Sequence, residues 1–201
     1  TGGNWTPSNV YTYVDGNISK TNGMLTMNSS SDRIYHTGNS FSVTGGSVSL
    51  TSACQIHTSG NVDISNDNTF VSTDVRFYMN GSTNTTISMT GANNRIYNYF
   101  YNSKSTNVKV TALSNLRIYH FIHDNGIFDV NGYSISNFGV YYGYNYGELR
   151  MSSGTFRVGS NNYSGGTYSP FYCAANWSES ISGGNIIVYG SNHASYGNVC
   201  F

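Results

Sequence analysis

Nine acidic and nine basic residues in a chain of 201 leave little material for acid–base chemistry. The arrangement of those few decides what the chain could do. Three arginines, Arg76, Arg95 and Arg117, each stand two residues before a tyrosine (Tyr78, Tyr97 and Tyr119), and Tyr141 continues the series. Guanidinium planes beside aromatic faces suit a neutral or acidic sugar chain, so these seven residues are a candidate glycan- or partner-binding stripe. The same residues could instead form a self-supporting Arg–Tyr ladder, in which ring faces offset part of the repulsion between aligned guanidinium groups.

Other constellations are thinner. Asp63, Ser65, Asp67 and Asp74 have part of the spacing of a calcium loop, but Asn68 stands where that loop wants glycine and Asp74 where it wants glutamate. Asp63, Asp67 and Asp74 are therefore a weak calcium candidate, and no cofactor is expected. His120, His123 and Asp124 make one metal half-site and Cys54 with His57 another; zinc needs three or four converging ligands, so satisfied or exposed histidines fit both better. No Gly-x-Ser-x-Gly elbow, phosphate loop or dinucleotide fingerprint occurs. Glycosidases need two carboxyl groups at a defined separation, and the one arguable grouping is the same three aspartates beside Arg76. The chain reads as a non-enzyme.

The elements that must carry these residues show in a repeat. Arg33-Ile34-Tyr35 returns as Gln55-Ile56-His57, Arg76-Phe77-Tyr78, Arg95-Ile96-Tyr97, Arg117-Ile118-Tyr119 and Gly139-Val140-Tyr141, at steps of 22, 21, 19, 22 and 22 residues. An apolar residue between two outward ones is strand period. A second phrase runs in step: Leu25-Thr26-Met27, Phe41-Ser42-Val43, Val62-Asp63-Ile64, Ile87-Ser88-Met89, Val108-Lys109-Val110, Phe128-Asp129-Val130 and Leu149-Arg150-Met151, with Ile186-Ile187-Val188 closing the series. One such unit cannot bury its own apolar face, so a period near 21 means coil stacked on coil. The fold expected is all-β, a single-stranded parallel β-helix (β-solenoid) of seven to eight coils of roughly 21 residues, with residue 96 directly beneath residue 118. Asn22-Gly23, Gly45-Gly46 and Asn80-Gly81 supply the corners. Short extra runs at 47–50, 69–72 and 133–136 are candidate third strands. Lys109, Asp129 and Arg150 on successive rungs read as an exposed ion ladder that pins register.

One domain spans 1–201: an opening segment (1–23), regular coils (24–151), an aromatic insertion (152–184) and a last coil with C-terminal segment (185–201). Trp5 either caps the first rung or packs on a preceding module. Zero formal net charge gives no electrostatic reason to bind nucleic acid or an anionic membrane, and no apolar run reaches spanning length. Three cysteines are too few for a disulfide framework. Cys173 and Cys200 are a candidate pair, worth about 3–4 kcal/mol on a chain-entropy account, whereas Cys54 reads as a small buried side chain. Low charge, abundant Tyr and Asn and that bridge favour an extracellular, cell-surface location. Asn-x-Ser/Thr sequons, such as those at Asn4, Asn17, Asn84 and Asn162, are expected by chance in so Asn- and Ser-rich a chain.

Gly2-Gly3-Asn4-Trp5-Thr6, Gly147-Glu148-Leu149-Arg150-Met151 and Ser182-Gly183-Gly184-Asn185-Ile186-Ile187-Val188 together resemble the β-helical adhesin-like modules of bacterial surface and filament proteins of Bacteroidetes type. The resemblance is one of style over most of the chain and carries no catalytic residues. It implies a secreted, non-enzymatic, multi-module or filament-forming protein. Open strand edges at both solenoid ends demand a cap or a neighbour, so the expected partners are copies of the chain or sister modules. Trp5, Tyr168, Phe171, Tyr172 and Trp177 are expected at those contacts. The alternative is a carbohydrate-binding or carbohydrate-cleaving β-helix that recognises surface glycans.

Overall fold

The computed structural model describes residues 3–7, 10–65, 71–72, 74–91, 94–159 and 171–189, with the backbone alone at 71, 72, 97 and 145. Strand period sets the local structure: in Arg33–His36, Ser40–Val43 and Cys54–Thr58, buried residues alternate with half-buried ones. A chain that buries every second residue cannot satisfy a helix, and each regular element among the described residues is a strand. Strand pairs with strand in parallel, one coil apart, so the chain is a β-solenoid as its repeat requires.

The solenoid has three sheets, where the two repeated phrases predict two with occasional extras. The first sheet runs Tyr11–Val14, Arg33–His36, Cys54–Thr58, Val75–Gly81, then residues 99–104, 120–125 and 141–143, and ends at Phe171–Cys173. The second runs Ile18–Lys20, Ser40–Val43, Asn61–Ile64, Thr85–Met89, Lys109–Ala112, residues 127–129 and 148–151, and Ser178–Ile181. The third pairs Met24–Met27 with Ser47–Leu50, and further along joins Val71–Ser72, residues 95–96 and 116–118, Ser134–Asn137, Thr155–Val158 and Asn185–Val188. Three long strands, Arg95–Lys104, Leu116–Asp129 and Tyr141–Met151, bend through corners and serve two sheets each.

Ile96 and Ile118 are register partners, as the repeat requires. The solenoid makes about six turns, slightly fewer than the seven to eight expected. Coils outgrow the 21-residue period: Arg76 pairs with Tyr99, 23 residues on, and Tyr141 with Phe171, 30 residues on. The described parts of 152–184 are rungs, each laid on the coil before.

Inward positions form one apolar core. Phe41, Phe77, Phe100, Phe121, Phe128 and Phe156 are fully buried, and successive rings meet at 6.0 Å (Phe41–Phe77), 6.4 Å (Phe77–Phe100) and 5.1 Å (Phe100–Phe121). Asparagine turns the corners. Asn17 Oδ1 accepts from the Asn39 and Ser40 amides (3.1 Å each), Asn84 Oδ1 from Lys109 (2.8 Å) and Asn115 Oδ1 from Ser134 (2.8 Å), so each ties one coil to the next. Gly46, at φ 74°, is required where it stands: a Cβ there would lie 2.3 Å from the Gly23 carbonyl oxygen.

The ion ladder forms in altered pairs. Lys109 Nζ meets Asp129 at 3.4 Å, while Arg150 turns along its own strand to Glu148 at 2.9 Å. Trp5 packs on its own first rung. Its amide donates to Met24 O (2.8 Å), its carbonyl accepts from Thr26 (3.0 Å), and its ring packs on the core.

Candidate functional site: a stacked aromatic face

The outward residues of the first sheet lie in two neighbouring rows. One row is Tyr13, Tyr35, His57, Tyr78 and Tyr101, each the register partner of the next. A parallel ladder sets rungs about 4.8 Å apart, close to the separation at which aromatic rings stack. The rings follow: centroids are 5.1, 4.6, 4.2 and 4.1 Å apart along the row, and no neighbouring planes differ by more than 20°. The other row runs Tyr11, Arg33, Gln55, Arg76, Tyr99 and His120. Arg33 lies over the Tyr11 ring at 5.0 Å and Arg76 over Tyr99 at 5.9 Å, with Gln55 between the two cations. Guanidinium repulsion is thereby avoided on this face.

This arrangement corrects the expected stripe. Tyr78 stacks on Tyr101, not on Tyr97, whose side chain lies outside the described residues, and Arg76 meets Tyr99, not Arg95. Arg95 and Arg117 belong to the third sheet, and Tyr119, between the residues that serve the third and first sheets, is 40 % exposed and edge-on to His120 at 4.5 Å. Tyr141 is inward and fully buried, the register partner of Phe121. The cause is a doubled phrase: Arg95-Ile96-Tyr97-Asn98-Tyr99-Phe100-Tyr101 contains two candidate rungs, and the core seats Phe77 on Phe100. The rings that sequence reasoning left off the stripe, Tyr13, Tyr35, His57, Tyr99 and Tyr101, carried a signal. An aromatic residue two places after a rung's first outward position recurs from Tyr13 onward.

His57 is held between Tyr35 and Tyr78, its ring within 1° of parallel to the latter, and its Nε2–H donates to Gln55 Oε1 at 3.1 Å. Burial, then the nearby Arg33 charge, depress its pKa to about 4, so it is neutral near pH 7. Beyond Tyr101 the next rung holds Ile122, which interrupts the stack. Tyr142, Tyr144 and Tyr172 then form a looser group at 5.6–6.2 Å with planes up to 61° apart.

Beneath this face lies a buried polar group. Tyr141 donates its hydroxyl hydrogen to His123 Nδ1 (2.9 Å) and accepts from Trp177 Nε1 (2.9 Å), while His123 Nε2–H donates to the Gly126 carbonyl (2.9 Å). These bonds fix the histidine tautomer. Burial lowers the His123 pKa to about 4 and pushes the Tyr141 hydroxyl well above its usual range.

The remaining candidates separate. His120 points outward and accepts the Val140 amide at Nδ1 (3.2 Å), whereas His123 points inward, so they share no ligand site. Asp63 is outward on the second sheet and Asp74, bonded by Asn98 Nδ2, leads into the first; Asp67 lies outside the described residues. Among the described residues no three His, Cys, Asp or Glu converge to hold a metal ion. Cys54 is fully buried, and burial, with Asp32 and Asp74 adding to it, pushes its thiol up to about 12. Cys173 is half-buried, and Cys200 and Tyr168 lie outside the described residues. Of the expected assembly contacts, Phe171 is in the core, stacked on Tyr141 at 4.9 Å; Trp177 is half-buried; Tyr172 is 45 % exposed.

Stacked rings present edges and hydroxyls outward, their faces being spent on each other. A neutral His57 beside tyrosines supplies no acid–base pair. Comparison of the chain with protein-family models, curated proteins and solved structures finds no match.

Proposed function

We propose that this chain is an extracellular structural and adhesive β-solenoid that joins end to end with copies of itself or with sister modules. The observation that carries the reading is the first coil. Tyr11–Val14 and Ile18–Lys20 each pair on one side alone among the described residues, and Tyr13, the outermost ring of the five-ring stack, is 72 % exposed. An unpaired parallel edge with an uncovered ring at its centre takes a further strand carrying a further ring, both contacts being periodic along the axis. Electron microscopy of concentrated protein should show fibres or strings, and Tyr13→Ser should shorten them. Dispersed single particles at every concentration would refute the proposal.

A second reading, carbohydrate binding, is favoured by a different place. An open groove of about 600 Å³ runs along the corner between the second and third sheets, lined by Asn94, Leu113, Asn115, Arg117, Tyr133 and Ser136 among others. A glycan array is its test: hits lost in Arg117→Ala and Tyr133→Ala support it, and an array without hits removes it.

A further inference from the structure

The groove at the corner between the second and third sheets has one charged bank. Ile96 and Ile118 are register partners, so Arg95 and Arg117 follow on successive rungs. Ser136 comes next in the same outward row and Arg157 after it. Rungs of a parallel ladder lie about 4.8 Å apart, so Arg117 stands one rung from Arg95 and two from Arg157. Arg117 and Arg157 are exposed, and Arg117 and Ser136 belong to both the row and the groove.

The surroundings decide the sign of a ligand. On the neighbouring second sheet cation and carboxylate cancel, Lys109 against Asp129 at 3.4 Å and Arg150 against Glu148 at 2.9 Å. The described outward positions of the third sheet hold no carboxylate, so its row keeps a positive charge within a chain that is neutral as a whole. No carboxylate lines the groove either. Sugar hydroxyls donate as well as accept, and a carboxylate is the side chain that takes several such donors at once. A groove with an arginine in that place favours a ligand that brings its own carboxylate, which a guanidinium binds through two parallel N–H···O bonds.

The remaining groups suit a sugar ring. Ser114 is spent within the fold, its Oγ accepting the Met89 amide at 2.7 Å and donating to the Asn115 carbonyl at 3.3 Å. Asn115 is exposed, and because its Oδ1 accepts the Ser134 amide at 2.8 Å, its NH2 group remains as a donor. Leu113, 45 % exposed, and the half-buried Tyr133 add apolar surface for the C–H face of a ring. A single strand of nucleic acid wants exposed ring faces on which its bases stack, and Tyr133 packs against the core instead.

We propose that the groove and the arginine row together bind an acidic polysaccharide lying along the solenoid axis, one sugar carboxylate on Arg117 and others on Arg95 and Arg157. The direction follows from the groove, whose lining comes from three successive coils at 89–94, 113–117 and 133–136, and from the row, which runs the same way. The proposal rests on the carbohydrate reading and gives its ligand a charge and an orientation.

The test is isothermal titration with short and long oligouronates and with the same oligomers after reduction of their carboxyl groups to alcohols. The uronates should bind about tenfold more tightly than their reduced forms. That advantage should shrink as salt is added, because the row is exposed. Arg117→Gln should abolish it for every oligomer. Arg157→Gln should weaken the long uronate about threefold and leave unchanged a short one that cannot reach two rungs further. Thermal melts check that both variants fold. Uronates that bind no better than their reduced forms, or a folded Arg117→Gln variant that keeps the full preference, overturn the acidic ligand. The carbohydrate reading then stands if the glycan array still gives hits, whereas an array without hits removes both. Single-stranded DNA that binds as tightly as the long uronate also overturns the proposal, the row then taking any polyanion.

Discussion

The first and third sheets turn unlike faces to solvent. On the first, rings stack on rings and guanidinium groups cover rings, so the side chains spend their contacts on one another. On the third, Arg95, Arg117, Ser136 and Arg157 follow along one outward row, and none of the described outward positions is acidic. Arg117 and Arg157 are exposed, and a groove opens beside Arg117. A row of like aromatic residues at rung spacing is a cohesive surface. A row of like charges is not. The first face therefore adds to stability through its own contacts, in a way the third does not.

The largest effect should come from beneath the first face. Tyr141→Phe leaves His123 Nδ1 and Trp177 Nε1 without their shared partner, at a cost of about 3 kcal/mol by urea denaturation. Tyr35→Phe, in the outer stack, should stay within about 0.5 kcal/mol. Equal costs would erase the distinction between buried and stacked tyrosines.

Acid should reach the same group. The folded His123 titrates near 4, below the ordinary 6.5, so the neutral ring is the one the fold prefers. Its contribution is complete above pH 6.5 and is lost as pH falls through 4, by up to about 3 kcal/mol. His57, depressed in the same direction but partly solvated, adds less. Unfolding midpoints at neutral pH and near pH 4 that coincide would contradict this account.

The stack itself comes next. Tyr78→Ala removes contacts with both His57 and Tyr101 and should cost about 2 kcal/mol, against less than about 1 for Tyr172→Ala in the loose group. Near-ultraviolet circular dichroism should register the first change more strongly than the second. Least of all, Arg117→Ala should leave stability within about 0.5 kcal/mol, whatever it does to binding. A larger loss would make the third face structural as well.

Strand period and a repeat near 21 residues were readable from the chain alone, because both are local: an apolar residue at every second place must face inward wherever the strand lies. Parallel stacking, glycine corners and the pairing of Ile96 with Ile118 followed from that. Register along the remaining rungs did not. Coil lengths vary with their corners, and the doubled phrase at 95–101 offers two tyrosines to stack on Tyr78. Only the seating of Phe77 on Phe100 in the packed core chose Tyr101, sent Arg95 and Arg117 to another sheet, and turned Tyr141 inward to His123. A local pattern fixes which way a side chain points, but its neighbours across coils are fixed by the volume of the core they enclose.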